Sequence, residues 1–523
     1  MNVAFDRWIP VVTTDGTKQL ASLCEVMTEG EAFADLAVRP HERVSLMRLF
    51  LCVAHAALDG PRDYDEWCEV PSRLPEAAHH YLEEWKDSFE LFHPRKPWLQ
   101  VATIAKQPNV MTPRLDDWTP VSKLGFFLAT GANTTLFDHA GMNNEQRHIT
   151  LANTLLSMVA FQCFSTGGLI SQVYWNGVQT GKSSKDGPCC PASMMHALLR
   201  GKELLTSIHL NLPSFEHVRR SYSDCQTGRP VWENPPASFQ DQEAIANATE
   251  TYVGRLLPMC RLIRLHETGQ CMLLGDGLVY RPFADGFPPE PTATVVIKTK
   301  DKKQERALLS FRPAKAMWRE LGSVLAKRGA EQIGGPLSLA AIQDGQGCDL
   351  VTCALARDQA TIVDTAESVY HIPPQLRSDD GTAVYEREVQ VAENMARQLG
   401  WAIDEYRRAV DGGWEGRLKS AGPSKVELTM KLHSCASTNY WTSIEKQLGL
   451  LIDCVEAIGS DEALTKRDTW RRMIFGTALD VFRTICGQET PRQMKAFAAG
   501  WERLTRKPKN SATETVDIEE NAS

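Results

Sequence analysis

The sequence has little that would support a metal centre or a disulfide framework. It has fourteen cysteines, but they are scattered along 523 residues and no Cys-x-x-Cys spacing occurs. Cys189 and Cys190 are adjacent, which is too constrained for an ordinary disulfide between them. Dispersed single cysteines in a long chain are typical of buried thiols in a reducing compartment. Cys260, His266 and Cys271 lie close together in the sequence, but without paired spacing they favour buried thiols over a zinc site.

Signals for membrane insertion and export are also missing. No apolar run approaches the length of about 18 residues that a spanning helix needs. The stretch from Met1 to Trp8 has neither a basic start nor an apolar segment, so it does not resemble a signal peptide. The sequence therefore predicts a cytoplasmic protein.

An excess of positive charge is absent as well. The chain has 57 lysines and arginines against 65 aspartates and glutamates, which gives a net charge of -8. A protein that binds nucleic acid non-specifically over its whole surface usually needs a strong positive field. The composition argues against that class and leaves room for a local basic patch.

Catalytic signatures are scarce. His-Glu-x-x-His, Gly-x-Ser-x-Gly and EF-hand spacings do not occur, and the Asp116-Asp117 pair has no partner base. The run from Gly177 through Gly181-Lys182-Ser183 resembles a phosphate loop, but it is one residue too short. These patterns favour a binding subunit over an enzyme. A nucleotide-binding enzyme that uses 177–183 is the alternative.

The residues that are present divide the chain into parts with different predicted secondary structure. Residues 1–374 mix helical segments, strand pairs and irregular stretches rich in proline and glycine. Within them, dense apolar residues predict a buried helix that begins near Glu42, and further helices are predicted over 74–92 and 147–163. The segment 93–150 is predicted to be largely irregular, and long loops of this kind are often functional.

Two β-hairpins are predicted in the middle of the chain. The first spans 292–311, and its tip from Lys298 to Arg306 carries five basic and two acidic residues. A solvated tip is the simpler interpretation, and contact with a phosphate backbone is the alternative. The second hairpin spans 348–363 and turns at the polar residues 356–359.

The last part of the chain is predicted to be helical. Apolar residues recur at helical spacing in four segments, 384–411, 441–459, 468–487 and 491–505. Short links between them predict a four-helix bundle over 384–506, and the polar, acidic residues 507–523 are predicted to be a disordered tail. The predicted fold class is α+β: a large mixed N-terminal domain with irregular loops and β-hairpins, plus a C-terminal four-helix bundle.

Several short motifs follow one another along nearly the whole chain. The first are Asp6-Arg7-Trp8-Ile9-Pro10-Val11 and His93 with Pro97-Trp98-Leu99-Gln100. Others follow in the same order, at Gly131-Ala132-Asn133, Pro230–Trp232, Gly254–Leu257, Arg261–Leu265, Pro288–Pro291 and Pro313–Trp318. In this order they resemble the large subunit, the CasA family, of the type I-E CRISPR surveillance complex Cascade. The length and the two-domain layout agree with that resemblance.

The resemblance implies a role in DNA recognition. Members of the family search duplex DNA from the minor groove for a short motif, the PAM, while the CRISPR RNA supplies sequence specificity by base pairing. They help to open the duplex, promote R-loop formation and license recruitment of a helicase–nuclease in antiviral defence. The implied partners are other Cascade subunits, the 5′ handle of the CRISPR RNA, double-stranded DNA at the PAM and the helicase–nuclease.

The resemblance also implies which residues approach the PAM. Thr166, Gly167 and Gly168 stand where the family has a glycine loop, whose bare backbone can approach base edges closely. The second hairpin corresponds to the family's wedge, with Gln359 at the wedge position beside Arg357 and Asp358.

A third family element is a minor-groove lysine. Val279 stands at that position here, so Arg281 or Lys298 is expected to replace it. Lys182, in the Gly-Lys-Ser stretch, is a further candidate for contact with nucleic acid.

An anchoring loop of the family corresponds to Thr134, Phe137, Asp138 and His139, with Phe137 as the expected buried anchor near the RNA 5′ handle. Some relatives carry a Cys-x-x-Cys near the position of Cys271, and this chain lacks it. We therefore expect no metal, no cofactor and no catalytic residue. A purely structural scaffold subunit is the second alternative, beside the nucleotide-binding enzyme.

Overall fold

A computed structural model describes residues 1–108, 117–127, 148–222, 226–300, 303–329, 331–343, 345–359, 361–411 and 423–506. The predicted anchoring residues Thr134, Phe137, Asp138 and His139 lie outside these described residues, as does the predicted tail 507–523.

The chain forms two compact units, Met1–Arg377 and Ser378–Ser523. The α-helices described in the first unit are Leu23–Thr28, Pro40–Leu58, Tyr64–Glu84, Leu151–Phe164, Leu204–Asn211, Phe215–Ser221, Gln242–Glu250, Tyr252–Leu256 and Leu321–Leu325. Its short 3-10 helices are Gly30–Ala32, Lys86–Phe89, Val121–Leu124, Pro191–Ser193, Phe283–Asp285, Met317–Glu320, Leu337–Ala341 and Pro374–Arg377. None of the helices within the described ranges is long and apolar enough to cross a membrane.

The strands of the first unit form several small antiparallel sheets. One three-stranded sheet has the order Lys18–Ala21, Ile9–Thr13, Phe33–Leu36, and a second has the order Met195–Arg200, Cys348–Asp358, Thr361–Ile372. A third has the order Arg261–Leu265, Cys271–Asp276, Thr119–Pro120. A fourth has the order Ile104–Ala105, Tyr174–Trp175, Val178–Gln179. The two-stranded pairs are Gly168–Leu169 with Ser183–Ser184, and Val295–Lys300 with Lys303–Leu308. The predicted mixture of helices and strands is confirmed, and both predicted hairpins are present.

The core of the first unit lies around the helix Pro40–Leu58. Pro40 occupies the first turn, and the side chain of Glu42 accepts the backbone N–H of Arg39, which satisfies a donor that the helix leaves unpaired. Val44, Leu46 and Leu49 of this helix have no exposed surface. The prediction of a buried helix is confirmed.

One predicted helix begins earlier than expected. The segment 74–92 is predicted to be helical, but the helix runs from Tyr64 to Glu84 and is followed by a 3-10 turn. Asp63 caps it by accepting the N–H of Glu66, and Pro71 and Pro75 lie inside it. Prolines normally mark helix ends, which is why the sequence pattern placed the start too late.

The second unit is helical in its described residues. Its helices are Asp379–Asp411, Pro423–Glu445, Leu448–Glu456, Ala463–Ile485 and Pro491–Thr505. The predicted helix 441–459 is interrupted at Lys446 and Gln447, so its residues belong to two helices.

Buried polar contacts join the helices of the second unit. The carboxylate of Glu388 is fully buried and accepts Nε and Nη2 of Arg471 at 2.9 and 2.6 Å. Tyr440 donates its hydroxyl to the carbonyl of Ala392 at 2.9 Å. A Cβ at Gly500 would lie 2.5 Å from the Phe482 ring, so glycine permits the close packing of two helices here.

Candidate nucleic-acid interface

The predicted glycine loop begins where the helix Leu151–Phe164 ends. Phe164 and Ser165 are buried, and the backbone then reaches the surface through Thr166 and Gly167. Gly168 has a φ of 149°, a value that side-chain-bearing residues rarely adopt, and it is exposed. The segment is therefore held at its buried end and open to solvent at its glycines.

A single carboxylate ties this segment to the second hairpin. The N–H of Gly167 donates to Oδ1 of Asp186 at 2.7 Å. Arg357, on the strand Cys348–Asp358, donates Nη1 to Oδ1 at 2.7 Å and Nη2 to Oδ2 at 2.5 Å of the same side chain. The structure thus brings together two elements that the sequence analysis connected only through a family resemblance.

The pKa of Asp186 is consistent with a carboxylate that accepts hydrogen bonds from both the glycine segment and the hairpin. Burial disfavours its charged form, but the hydrogen bonds from Arg357 and from the N–H of Gly167 outweigh burial and lower the pKa of the carboxyl. Asp186 is therefore ionised at neutral pH. Its charge and that of Arg357 largely cancel.

A buried arginine, Arg261, forms hydrogen bonds to the backbone of the glycine segment and of its partner segment. Nη2 of Arg261 donates to the carbonyl oxygens of Thr166 and Lys185 at 2.9 and 3.0 Å, and Nη1 donates to the carbonyl of Cys260 at 2.7 Å. The Arg261 side chain is buried, so these backbone acceptors are satisfied without water. Arg261 therefore links the backbone at Thr166 to the backbone at Lys185, next to the glycines.

The tip of the second hairpin presents Gln359 to solvent. Asp358 pairs with Thr361, so the turn has two residues, and Gln359 occupies it with a φ of 53°. Asp358 and Gln359 are exposed. The register shifts between Ala356 and Arg357, and an irregularity of this kind re-aims side chains near a strand end. It lies where Arg357 turns toward Asp186.

Arg281, one of the two candidates for the third element, lies at a neighbouring cavity of about 390 Å³. Lys185 and Asp186 line one side, and Val279 and Arg281 line another. The Val279 side chain is 58% exposed, and Arg281 is exposed with Nη2 donating to the carbonyl of Asp285 at 3.3 Å. Arg281 therefore shares a cavity with the carboxylate that links the glycine segment and the hairpin.

A buried charge cluster forms part of the wall of this cavity. Glu290 accepts Nη1 of Arg48 at 2.7 Å and Nη2 of Arg255 at 2.9 Å. Burial disfavours its ionised form, but the two guanidinium groups outweigh burial and lower the pKa of Glu290. Two cations around one anion leave a net positive charge behind the cavity wall.

The two remaining lysines occupy different positions. Lys182 is exposed, and its carbonyl accepts the N–H of Ile170 at 3.0 Å, which places it beside the glycine segment. Lys298 lies on the strand Val295–Lys300, is half-buried, and donates Nζ to the carbonyl of Leu308 at 3.4 Å. Of the two, Lys182 is better placed to meet an anionic ligand next to the glycines.

The phosphate-loop alternative does not agree with the observed secondary structure. Gly177 lies in the turn between the strands Tyr174–Trp175 and Val178–Gln179, and Ser183 begins the strand Ser183–Ser184. A phosphate loop needs a helix that begins at this point, so that its N-terminal amides face the phosphates. That interpretation is therefore wrong for the geometry of 177–183.

The possible zinc ligands do not form a metal cluster. Cys260 donates Sγ to the carbonyl of Gln162 at 2.8 Å, and Nδ1 of His266 interacts with the hydroxyl of Thr268 at 2.9 Å. Across the part of the chain that the structure describes, no group of three or more His, Cys, Asp or Glu residues could hold a metal ion.

Two residues that hold this region together were not found by sequence reasoning. Asp186 lies in an unremarkable polar stretch, and its partner Arg357 is 171 residues further along the chain. Arg261 was noted only as part of a motif, and its burial gives it a role that no spacing signals. Sequence patterns report local contacts, whereas both of these contacts are long-range.

Comparisons with known proteins agree with one another. Residues 2–481 match the family described as CRISPR-associated protein Cse1. A curated relative from Thermus thermophilus, described as CRISPR-associated protein CasA/Cse1, is 27% identical over 525 residues, with 95% of each chain covered.

Solved structures share the fold. A crystal structure of CasA from Thermus thermophilus has a TM-score of 0.74 at 22% identity and covers 96% of this chain and 98% of its own. A chain from a structure described as a CRISPR RNA-guided surveillance complex has a TM-score of 0.69 at 17% identity and covers 96% and 99%.

Proposed function

The chain belongs to the CRISPR-associated Cse1 family, and from this membership we propose that it is the large subunit of a type I-E Cascade surveillance complex. In this role it recognises the PAM in double-stranded DNA from the minor groove and promotes opening of the duplex. Base pairing with the CRISPR RNA then supplies the sequence specificity.

One observation carries the proposal: Asp186 joins the glycine segment to the Gln359 hairpin. A protein that reads a short motif and opens the adjacent base pair needs both elements at a fixed separation. A bidentate Arg–carboxylate pair is a suitable connection because its geometry is directional. The exposed Lys182 beside the glycines supplies positive charge where phosphates would approach.

The division of labour follows from the chemistry of each element. The backbone of Gly167 and Gly168, which carries no side chains, approaches the base edges in the minor groove. The hydrogen-bonding groups there mainly distinguish A·T from G·C. Gln359, at the exposed turn, wedges under the PAM and stabilises an unstacked step, which nucleates the RNA–DNA hybrid. Arg281, at the cavity, is the best-placed replacement for the family's lysine.

The other parts of the proposal concern assembly. The subunit has no catalytic role of its own and licenses recruitment of the helicase–nuclease. Thr134, Phe137, Asp138 and His139 anchor it to the other Cascade subunits near the 5′ handle of the CRISPR RNA. The second unit forms a four-helix bundle within 384–506 if the helices Pro423–Glu445 and Leu448–Glu456, which are separated only by Lys446 and Gln447, count as one broken helix.

The test is a gel shift with the reconstituted RNA-guided complex, with and without this chain, on target duplexes that carry a randomised PAM. We expect target binding to depend on both the PAM and the chain. If omission of the chain leaves binding and its PAM dependence unchanged, the recognition role is wrong. If the chain is required but every PAM binds equally, it is a scaffold.

A further inference from the structure

One apolar side chain at the proposed DNA surface is almost completely exposed. Leu169 follows Gly168 directly and is 94% exposed, the highest value among the large hydrophobic side chains that the structure describes. Single exposed leucines are common on protein surfaces, so exposure alone assigns no role. What distinguishes Leu169 is its rigid backbone and its neighbours.

The backbone around Leu169 is fixed on both sides. Gly168 and Leu169 pair with Ser184 and Ser183, and the hydroxyl of Ser184 donates to the carbonyl of Gly168 at 3.2 Å. The N–H of Ile170 donates to the carbonyl of Lys182 at 3.0 Å. The leucine side chain is thus presented from a paired strand, not from a loop that could fold it back onto the core.

Exposed cations lie near this leucine on the partner segment. Lys182 and Lys185 are exposed, and neither forms an ion pair with any residue in the described part of the chain. The nearby charge of Asp186 is matched by Arg357. A second acid, Asp276, lies near Gly181 but is half-buried, and burial raises its pKa. An apolar side chain flanked by lysines complements a nucleic acid, whose base faces stack on apolar groups and whose backbone is anionic.

We propose that Leu169 inserts between base pairs at the edge of the PAM and unstacks the first step of the target duplex. Leucine is one of the apolar wedges that proteins insert into the minor groove to kink and open DNA. The inference deepens the proposed function. In this inference the glycine segment helps to open the DNA duplex, as the hairpin that carries Gln359 does. Lys182 and Lys185 contact the phosphates on either side of the unstacked step.

The test uses the complete complex and a duplex with 2-aminopurine at the step next to the PAM, because the fluorescence of this base rises when it unstacks. We expect Leu169→Ala to lose most of the PAM-dependent fluorescence rise and to slow R-loop formation about tenfold, while Leu169→Met retains both. A target with a preformed bubble at the same step should restore the rate of Leu169→Ala. Leu464→Ala, which truncates a leucine that is 70% exposed in the second unit, is the matched control and should behave as wild type.

Several outcomes would overturn the inference. Normal fluorescence and rates for Leu169→Ala would show that the leucine does not unstack DNA. Loss of complex assembly without DNA would show that a protein partner covers Leu169. Failure of the bubble to restore the rate would place the defect after opening. The proposed function itself fails separately, when the wild-type complex shows no PAM-dependent binding that requires this chain.

Discussion

At the scale of single residues, the pairing of Arg357 changes how its role is understood. The family resemblance implies that Arg357 approaches the DNA, but in the structure both terminal nitrogens of Arg357 are hydrogen-bonded to Asp186. Its backbone N–H also donates to the hydroxyl of Ser193 at 3.1 Å. A guanidinium held in this way fixes the hairpin relative to the glycine segment, so we interpret Arg357 as a positioning residue.

This interpretation predicts strong coupling between Asp186 and Arg357. In a double-mutant cycle with Asp186→Ala and Arg357→Ala, each single variant should weaken PAM-dependent target binding, and the double variant should lose little more. We expect a coupling free energy of about 0.5–3 kcal/mol, as is found for partners in one hydrogen-bonded network. The measurement is the affinity of the assembled complex for duplexes with and without a PAM.

The control cycle uses the exposed pair Arg62 and Glu66, whose arginine side chain is 72% exposed. Solvent screens surface pairs of this kind, so they contribute little, and this pair should not alter PAM dependence. Additive losses from Asp186→Ala and Arg357→Ala would show that the two residues act independently.

At the scale of the hairpin, the turn allows the side chain of Gln359 to be separated from its backbone. A φ of 53° costs a residue with a Cβ about 1–2 kcal/mol, and glycine avoids this cost. Gln359→Gly should therefore keep or slightly raise the thermal stability of the chain while it removes the wedge. We expect normal assembly of the complex and slower R-loop formation.

The matched control for this variant is Val369→Ala, on the other strand of the same hairpin, which truncates a side chain that is 49% exposed. It should leave R-loop formation unchanged. If Gln359→Gly forms R-loops at the wild-type rate, the side chain has no wedge function. If its stability falls, the backbone assignment of the turn is wrong.

The elements that the sequence predicted well are those with local signals. The hairpin partners Val295–Lys300 and Lys303–Leu308 are adjacent in sequence, and the dense apolar run of Pro40–Leu58 leaves no face for solvent. The apolar spacing continues across the break at Lys446 and Gln447, so the sequence pattern does not indicate it. Helix periodicity records which side chains are buried, and it is insensitive to a short local irregularity.

The candidate surface was predictable only in part, for a different physical reason. The glycines and Gln359 could be proposed as site residues because their residue types match the elements that the family resemblance implies. Their connection through Asp186, and the exposure of Leu169, depend on tertiary structure. Contacts between residues more than a hundred positions apart leave no periodic trace in a single sequence.

At the scale of the whole molecule, charge is distributed unevenly. The chain has a net charge of -8, yet Lys182 and Lys185 lie exposed beside the glycine segment. A negative total discourages binding to arbitrary DNA, because non-specific affinity comes mainly from phosphate neutralisation. A few local cations are then sufficient only where the assembled complex already holds the DNA. This distribution favours recognition within a complex over recognition by the free chain.

Three buried histidines of the first unit make acid sensitivity a further property of the molecule. Burial lowers the pKa of His41 to about 3 and the pKa values of His55 and His196 to about 4. The neutral form of His196 is specified by its partners: Nε2 donates to the carbonyl of Cys189 at 3.0 Å, and Nδ1 accepts the hydroxyl of Thr292 at 2.7 Å. Protonation would turn that acceptor into a donor inside the core.

The sign of the pH dependence follows from these pKa values. The histidines titrate near pH 6.5 when unfolded and near pH 3 to 4 when folded, so the unfolded chain binds more protons between these values. Their contribution to stability is complete above about pH 6.5 and is lost as the pH falls toward 4, by up to about 1.4 kcal/mol per pH unit for each histidine.

We expect the midpoint of urea unfolding to fall steadily between pH 7 and pH 5. His196→Gln should be less stable at pH 7 but should show a shallower slope, because one proton fewer is taken up on unfolding. His80→Gln, which changes a histidine with a 76% exposed side chain, is the matched control for the substitution. An unfolding midpoint that is constant from pH 7 to pH 5, or equal slopes for His196→Gln and His80→Gln, would contradict the assignment of His196 as a neutral core residue.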